Sequence, residues 1–558
     1  MSNTHRVRSY PFLGGAVSAH PDARVAEILG AFTSPDASAP DLMCDRHPAD
    51  SVVFRFVDAD LVETVVTFGD LAARSRRVAS VLSSHGVGPG DRVATLMGKH
   101  VDLPAVILGV WRLGAVYMPL FTAFAASAVA DRLDQGEVSV VITDPDQLGK
   151  VPIDRIRLVA GVGTDTAAPA GSKNLARELA AAGPWNGAAP TGPDVELTHM
   201  FTSGTTGKPK AVVHPLSYAA SWQAYLEIGL GVDNSAVYWN AADPGWAYGL
   251  YAGVVAPMCA GRTNIICTAK FNADTTWRVL DELAVTDLAA APTLFRGLRI
   301  SSTRAPLPDL QRLSSAGEPL TPDVFAWAEH EWGLQIHDHF GQTEIGMPAG
   351  FPHHPKAAIP VEAAAMGRAF PGWSLTALGL QEDAPAPAGE VGRLAVSIPD
   401  SPFFTFTGYG ADRSNRSDRF SSDGKYYLSG DLVTIDEAGL IHFSSRDDDV
   451  ILMAGYRIGP FDVESALGTH PAVQECAVIA APDEMRGEVI QAFVVVTPES
   501  VAGEGLAKEL QDWVKKEYAT HAYPRRIEFV TALPKTPSGK VQRTVLRKGL
   551  SLMEATVD

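Results

Sequence analysis

The stretch Phe201-Thr202-Ser203-Gly204-Thr205-Thr206-Gly207-Lys208-Pro209-Lys210 combines glycines, hydroxyl side chains and two lysines directly after an apolar-containing run from Val195 to Phe201. Glycines allow tight turns that bring amide N–H groups close to an anion. Hydroxyls donate to phosphate oxygens, and a lysine adds a point charge. The stretch therefore predicts a polyphosphate-binding loop, with a polar surface turn as the alternative. It is not a Walker A loop, because Thr202 stands where that spacing needs glycine.

The composition is that of a soluble globular protein of several folding units, since 558 residues exceed the size at which a single core stops growing. The formal net charge of −18 argues against nucleic acid as a main partner. Four scattered cysteines form no close pair and no zinc spacing, which predicts reduced thiols and a cytoplasmic location.

Two uncharged runs, 113–130 and 244–261, reach the lower end of membrane-spanning length. Both are interrupted by proline and glycine, so we expect buried core segments and no membrane span. The first residues, 1–15, lack the apolar core and cleavage site of a signal peptide. The histidines 337, 339, 353 and 354 fit no standard zinc spacing, and we expect no metal there.

The first half of the chain alternates helical and strand patterns. Helical spacing is found at 71–82 and 105–111, and apolar strand patterns at 92–97 and 138–143. Such alternation predicts an α/β protein with parallel sheets covered by helices on both faces. A second unit follows Arg446, with helices predicted at 461–467 and 506–518 and strands at 476–480 and 492–496, which is enough for a small α+β domain.

Four further segments combine glycine with polar or charged residues, and each has an unremarkable alternative. His339-Phe340-Gly341-Gln342-Thr343-Glu344 could cap a helix, and Tyr426-Tyr427-Leu428-Ser429-Gly430-Asp431 could form a hairpin turn. Ser445-Arg446-Asp447-Asp448-Asp449-Val450-Ile451, which leads into Ala454-Gly455-Tyr456-Arg457, could be a solvated loop. Leu533-Pro534-Lys535-Thr536-Pro537-Ser538-Gly539-Lys540 could be an exposed linker.

Together with the loop at 201–210, and in this order, the segments resemble the adenylate-forming superfamily, which includes acyl-CoA synthetases, firefly-type luciferases and peptide-synthetase adenylation domains. The resemblance runs from about 67 to about 547 and is closest to the short- and medium-chain acyl-CoA synthetase branch. It implies a large N-terminal domain, 1–447, and a small mobile C-terminal domain, 448–558. It also implies ATP, Mg²⁺, a small-molecule carboxylic acid and coenzyme A as ligands.

The resemblance implies a role for each motif in binding the nucleotide. Thr343 would contact the α-phosphate, and Glu344 would hold Mg²⁺, which prefers oxygen ligands. Asp431 would accept both ribose hydroxyls, and Arg446 would reach the ribose. The adenine would lie beside Gly317, Glu318 and Pro319, with its amino group donating to Asp338. The β- and γ-phosphates would be held by Thr202, Ser203, Gly204, Thr205, Thr206, Gly207 and Lys208.

The resemblance also assigns the remaining steps to the C-terminal part of the chain. The acid is ionised at neutral pH and needs no general base, so catalysis consists of alignment and charge neutralisation. Lys540 would bridge the attacking carboxylate and the α-phosphate. Asp448 would be the hinge about which the small domain turns between half-reactions, with a solvated acidic residue as the alternative. Arg457 would contact phosphate, and Gly455 would line the pantetheine tunnel.

Motif alignment places Trp246, Ala247, Tyr248, Ala316 and Gly341 around the acyl group. Acetate-specific relatives carry tryptophan at the position of Gly341, so glycine predicts room for an acid larger than acetate. The Tyr248 hydroxyl favours a branched, aromatic or polar acid of modest size, unless this ring only packs. These positions include no lysine or arginine, so a second charged group on the acid is not predicted.

Other functions are compatible with the same motifs, because the motifs serve the AMP-forming step. The acceptor could be a carrier-protein thiol or an amine, and the substrate could be an unusual oxyanion such as nitrite. A catalytically silent nucleotide-binding protein is a further alternative, against which intact Glu344, Asp431 and Lys540 argue. The oligomeric state, monomer or homodimer, stays open.

Overall fold

A computed structural model describes residues 20–202, 210–301, 306–410, 419–453, 456–483, 487–536 and 540–554, with the backbone alone for 456, 457, 487 and 550–554. Its strands are β1 Val52–Val57, β2 Glu63–Thr67, β3 Arg92–Leu96, β4 Val116–Pro119, β5 Val140–Thr143, β6 Ile156–Val159, β7 Lys173–Asn174, β8 Glu196–Thr202, β9 Lys210–Pro215, β10 Tyr238–Asn240, β11 Asn264–Cys267, β12 Asp287–Ala290, β13 Arg312–Ala316, β14 Ile336–Gln342, β15 Gly346–Gly350, β16 Arg368–Ala369, β17 Leu375–Leu378, β18 Val391–Ser397, β19 Tyr426–Ile435, β20 Ile441–Arg446, β21 Ile451–Met453, β22 Tyr456–Ile458, β23 Val473–Asp483, β24 Gly487–Val496 and β25 Arg526–Phe529.

The helices begin and end where proline, capping side chains and glycine direct. They are α1 Pro21–Phe32, α2 Phe68–Ser84, α3 Leu103–Arg112, α4 Ala126–Gln135, α5 Leu175–Ala181, α6 Tyr218–Ala224, α7 Ala247–Leu250, α8 Ala256–Ala260, α9 Ala273–Glu282, α10 Pro292–Ile300, α11 Pro322–Trp332, α12 Pro460–Gly468, α13 Glu504–Glu517 and α14 Arg543–Glu554. Short π-helical turns at Tyr225–Gly229 and Tyr251–Val255 follow α6 and α7.

Two large, mainly parallel sheets form the N-terminal part of the molecule. One has the strand order β7-β6-β5-β3-β4-β8-β9 and is parallel except for the pair β8–β9. The other has the order β16-β15-β14-β13-β12-β10-β11-β1-β2, with antiparallel pairs only towards its two ends. Strands such as β5 are buried along their whole length, because helices cover both faces of a parallel sheet.

The predicted helices and strands of this part are confirmed. The apolar spacing at 71–82 becomes α2, whose first turn is capped by a reciprocal pair of hydrogen bonds between Thr67 and Asp70. The spacing at 105–111 becomes α3, which packs on α2 where Gly109 faces Val78. Strands β3 and β5 account for the patterns at 92–97 and 138–143. The predicted α/β fold class is therefore correct.

A third, antiparallel sheet follows in the order β17-β18-β19-β20 and was not predicted. Its strands are irregular, with register shifts between Arg393 and Ala395 and between Leu432 and Val433. Such bulges break the two-residue alternation that identifies a strand in a sequence. The segment 426–431 therefore lies in a strand, although it could have been a hairpin turn.

The C-terminal part is a small α+β unit with its own core, as predicted. Four strands run in the order β22-β21-β24-β23. The fifth strand, β25, pairs in parallel with β24. Val463, Leu467, Leu510 and Val514 from α12 and α13 pack against the buried residues of β23 and β24. The start of this unit at 448 stays a prediction, although β20 ends at Arg446 and β21 begins at Ile451.

The run 244–261 is largely buried, as expected, whereas the run 113–130 is mostly buried from 113 to 121 and mostly exposed or half-buried from 122 to 130. The run 113–130 contributes β4, and the run 244–261 contributes α7, a π-helical turn and α8, which are almost wholly buried. Among the described residues, no helix has both the length and the apolar character needed to cross a membrane.

Candidate active site

The turn between β14 and β15 holds Thr343 and Glu344, and two buried side chains bond its backbone. The Thr343 carbonyl accepts hydrogen bonds from His214 Nε2 at 2.7 Å and from the Tyr218 hydroxyl at 2.9 Å. Burial lowers the pKa of His214 to about 3, so its ring is neutral. Because a carbonyl only accepts, Nε2 carries the proton, and Nδ1 accepts from the Tyr251 hydroxyl at 2.8 Å.

This anchor predicts that acid destabilises the N-terminal part through His214. Between an unfolded pKa of about 6.5 and the folded value of about 3, only the unfolded chain binds the proton, so stability falls as pH decreases. His214→Gln should lose part of its stability at pH 7.5. It should recover about 2 kcal/mol relative to wild type by pH 5, measured by urea denaturation with tryptophan fluorescence. His330→Gln on the exposed face of α11 is the control. Parallel pH dependences for wild type and His214→Gln would contradict the assignment.

Glu344 is buried close to β9, which follows the predicted phosphate-binding loop at 201–210. Its Oε1 accepts from the Tyr409 hydroxyl at 2.7 Å, and the Tyr409 ring lies 4.9 Å beneath the Lys210 ammonium. A bridge between Val212 and Tyr409 ties this tyrosine to β9. One carboxylate next to the predicted phosphate-binding loop is a donor set that would fit Mg²⁺, which usually takes one or two protein carboxylates, phosphate oxygens and waters.

Asp431 lies in β19, held in one orientation by two neighbours. Arg446 Nη1 donates to its Oδ1 at 2.9 Å, and Gln342 Nε2 donates to its Oδ2 at 2.9 Å. The Gln342 amide is itself oriented, because its oxygen accepts from the Tyr427 hydroxyl at 3.0 Å. Two carboxylate oxygens offer about four acceptor positions, so lone pairs remain for a ligand with two hydroxyls.

Among the residues predicted to surround the adenine, Gly317 and Glu318 follow the carboxyl end of β13, and Asp338 lies in β14 opposite Ser315 of β13. Asp338 is buried, its Oδ1 has no hydrogen-bond partner in the described part of the chain, and burial raises its pKa well above the ordinary value. Gly317 has φ +99°, and nothing lies within 4 Å of the position a Cβ would take. The next residue, Glu318, accepts from Thr293 at 3.0 Å and Arg296 at 2.6 Å. A buried carboxylate oxygen with no hydrogen-bond partner among the described residues fits a base with an amino group.

Lys540 of the C-terminal unit points at this same group of residues. Solvent reaches the residue, yet protein atoms around its ammonium lower its pKa, a shift opposed by the nearby carboxylates of Glu318, Asp431 and Glu344. Its backbone is held by two hydrogen bonds to Thr536, at 2.7 and 3.1 Å. The structure thus brings together side chains that lie between positions 318 and 540 of the sequence.

Next to this group, two buried polar side chains, His339 and Tyr225, and the partly buried Tyr248 form a directed chain of hydrogen bonds. His339 Nε2 donates to the Phe351 carbonyl at 2.9 Å, and burial lowers the pKa of His339 to about 3, so Nδ1 is an acceptor. It accepts from the Tyr225 hydroxyl at 2.7 Å. The Tyr225 proton is thereby used, so the 3.2 Å contact with Tyr248 requires the Tyr248 hydroxyl to donate. The Tyr248 oxygen is left as an acceptor only.

The expectation of free room beside Gly341 needs a correction. A Cβ at Gly341 would overlap the Met347 sulfur and the Gly346 carbonyl, so the thioether of Met347 fills this space. Glycine is required here by the close approach of β14 to the start of β15. Trp246 packs 5.1 Å from Phe121, and Ala316 ends β13. That Trp246, Ala247, Tyr248, Ala316 and Gly341 line an acyl pocket stays a prediction.

Several predicted residues lie outside the described residues: Ser203, Gly204, Thr205, Thr206, Gly207 and Lys208 of the loop, and Gly455. For Arg457 only the backbone is described. Pro319 follows Glu318 towards α11, and Thr202 ends β8, where its hydroxyl donates to the Lys210 carbonyl at 3.3 Å. Asp448 is 3.6 Å from Arg446 and half exposed. Sequence reasoning missed Tyr409, Arg296 and His214, which no motif marks.

The fold and this group of residues are typical of nucleotide-binding enzymes with a large and a small part, and comparison with known proteins identifies the family. Residues 43–409 match the model for the AMP-binding enzyme, and residues 462–540 match the model for the AMP-binding enzyme C-terminal domain. The chain therefore belongs to the AMP-binding enzyme family, within the adenylate-forming superfamily.

Named relatives and a solved structure extend along nearly the whole chain. Acetyl-coenzyme A synthetase of Bacillus subtilis (strain 168) is 34% identical over 528 residues, covering 90% of this chain and 89% of its own. Mitochondrial acyl-coenzyme A synthetase ACSM3 of Rattus norvegicus is 33% identical over 505 residues, covering 89% and 86%. The crystal structure of Brucella canis acyl-CoA synthetase has 38% sequence identity and a TM-score of 0.72, covering 96% of this chain and 99% of that one.

Proposed function

We propose that this protein is an ATP-dependent acyl-CoA synthetase. A carboxylate attacks the α-phosphorus of ATP, giving an acyl-adenylate and pyrophosphate, and the thiol of coenzyme A then displaces AMP to give acyl-CoA. The observation that carries the proposal is the position of Lys540, whose ammonium faces the carboxylates of Glu344, Asp431 and Glu318. Similarity to acyl-CoA synthetases over most of both chains supports the same conclusion.

In the first half-reaction the protein neutralises charge and holds the reactants in line. The acid is ionised at neutral pH, so the protein removes no proton from it. Lys540 places a cation between two anions that would otherwise repel each other, and Glu344 would hold Mg²⁺, which supplies charge for the polyphosphate. Asp431 fixes the ribose through its remaining lone pairs, and the rigid turn at Thr343 supports the reacting phosphate.

In the second half-reaction a thiol must reach the carbonyl carbon that Lys540 previously faced. We propose that the C-terminal unit turns about Asp448, which removes Lys540 and admits coenzyme A. Asp448 is half exposed, and among the described residues Arg446, at 3.6 Å, is the one ion-pair partner of its side chain. Few contacts therefore resist a change in its backbone angles, as a hinge requires.

The acid is inferred from the hydrogen-bond direction at Tyr248, because the names of the relatives, an acetyl- and an acyl-coenzyme A synthetase, do not specify one acid. Tyr248 is only partly buried, next to Trp246 on the predicted pocket wall. Since its proton is given to Tyr225, its oxygen accepts from a ligand and cannot donate to one. We propose an acid larger than acetate that carries a donor on its tail, such as a hydroxyl- or amino-substituted aromatic or branched acid.

Replacing Tyr248 or Tyr225 by phenylalanine should change the preference between donor- and acceptor-bearing acids in opposite ways. Tyr248→Phe should lower kcat/KM for a hydroxy- or amino-substituted benzoate about five- to tenfold, with benzoate unchanged, because one neutral hydrogen bond is lost. Tyr225→Phe should free the Tyr248 proton and instead favour acids with an acceptor at the same ring position. The measurement is kcat/KM by pyrophosphate release for paired acids. Equal changes for both acids of a pair would contradict the assignment.

An acid panel with and without coenzyme A tests the proposed function. Pyrophosphate release with an acid, and AMP release that depends on coenzyme A, are the expected results. AMP release that instead requires an amine or a carrier-protein thiol would identify the alternative acceptors, and activity with nitrite alone would identify the oxyanion substrate. An absence of pyrophosphate exchange with every acid would favour a silent nucleotide-binding protein. A cytoplasmic location stays a prediction.

A further inference from the structure

A line of alternating charges crosses from the adenine side of the site to the loop that carries Lys540. It begins at Glu318, whose Oε2 accepts from Arg296 Nη2 at 2.6 Å. Arg296 Nε is buried and has no hydrogen-bond partner in the part of the chain that the structure describes, and it lies 3.8 Å from Glu475 Oε1 on β23 of the C-terminal unit. Glu475 also forms an ion pair with Lys535. One carboxylate of the small unit thus stands between two cations, one from each unit.

This line is partly shielded from solvent, so its charges interact more strongly than those of a fully exposed ion pair. The side chains of Glu318, Arg296, Glu475 and Lys535 are 12%, 19%, 22% and 28% exposed. Exposed ion pairs contribute little because water screens them. Removing one member of a shielded group leaves its partners uncompensated and costs much more.

Lys535 is coupled to Lys540 through the backbone. A bridge joins Lys535 to Val541, Thr536 N–H donates to the Lys540 carbonyl at 2.7 Å, and Lys540 N–H donates to the Thr536 hydroxyl at 3.1 Å. The position of Lys535 therefore sets that of Lys540. A second contact supports the same junction, because Arg299, paired with Asp323, donates to the Gln474 carbonyl at 3.5 Å.

We propose that Arg296, Glu475 and Lys535 form a latch that holds the C-terminal unit in the arrangement for adenylate formation. Glu475 is a positioning residue that acts through Lys535 on Lys540. The inference rests on the proposed function and goes beyond it, because no motif assigns these residues. Rotation for the thiol step separates Glu475 from Arg296, while Arg296 keeps Glu318 as its partner. The latch therefore stabilises the first half-reaction and not the second.

The test measures the two half-reactions separately on the full-length protein. Glu475→Gln should slow single-turnover adenylate formation about ten- to a hundredfold and leave thioester formation from a supplied acyl-adenylate within about twofold. Glu475→Asp keeps the charge and should recover most of the rate.

Controls separate the latch from folding and from the proposed function. Asp512→Asn removes an ion pair within α13 and should change neither half-reaction. Lys535→Gln, at a more exposed position, should reproduce the selective loss even if Glu475→Gln folds poorly. Equal effects on both half-reactions, or none, in a folded variant would overturn the latch. If wild type adenylates no acid, the proposed function fails instead.

Discussion

Lys540→Ala is expected to reduce adenylate formation by roughly 10²–10³-fold while thioester formation from a supplied acyl-adenylate stays close to wild type. The reason is geometric, since the ammonium faces Glu318, Asp431 and Glu344 across the cleft and supplies charge where two anions must meet. Pyrophosphate exchange into ATP measures the first half-reaction, and thioester release from synthetic acyl-adenylate and coenzyme A measures the second.

The matched control for this substitution is Lys516→Ala, which removes an exposed lysine paired with its neighbour Glu517 on α13. It should leave both half-reactions unchanged, so a loss in Lys540→Ala cannot come from net charge alone. An equal loss of both half-reactions in Lys540→Ala would contradict the proposal that Lys540 leaves the site before the thiol enters.

The regular part of the fold could be predicted because its periodicity is local. The apolar residues of α2 and α3 recur at helical spacing, and β3 and β5 are short apolar runs between turns. The order of apolar residues within each segment is therefore sufficient to predict its secondary structure. The antiparallel sheet of β17–β20 was missed because its strands carry bulges. Gly430, with φ +79° inside β19, turns the chain just before Asp431, and in a sequence such a glycine suggests a turn.

The sequence also marks the motif residues that the structure brings together near Lys540, whereas it does not mark their supporting partners. Glu344 and Asp431 belong to recognisable segments, but Tyr409, which donates to Glu344, lies 65 residues away with no local signal. Gln342 was quoted within a motif without a role, and the structure shows it donating to Asp431. Packing also decides at Gly341, where Met347 occupies space that the sequence alone suggested was empty. Residue type predicts chemistry, and only tertiary packing determines orientation.

The second large effect is expected for Asp431→Asn, which should weaken nucleotide binding because of how the partners of Asp431 orient its carboxylate. Arg446 and Gln342 occupy one acceptor position on each carboxylate oxygen of Asp431, so one lone pair on each oxygen remains for a ligand. Asp431→Asn turns one oxygen into a donor that opposes either Arg446 or the Gln342 amide. Hydrogen bonds to a charged group contribute about 1.5–3 kcal/mol each, so loss of one or two to the ribose predicts a KM for ATP raised roughly 10- to 10³-fold.

Steady-state pyrophosphate release at varied ATP measures this effect, and the KM for the acid should change little because Asp431 serves the nucleotide. Asp423→Asn is the control, since Asp423 is an exposed acid in the turn that precedes β19 and caps its neighbours Ser421 and Lys425. Comparable denaturation midpoints for the two variants would show that Asp431→Asn acts on binding. A KM for ATP within twofold of wild type would exclude Asp431 as the ribose acceptor, and would move the nucleotide away from the junction of β14, β19 and the Lys540 loop.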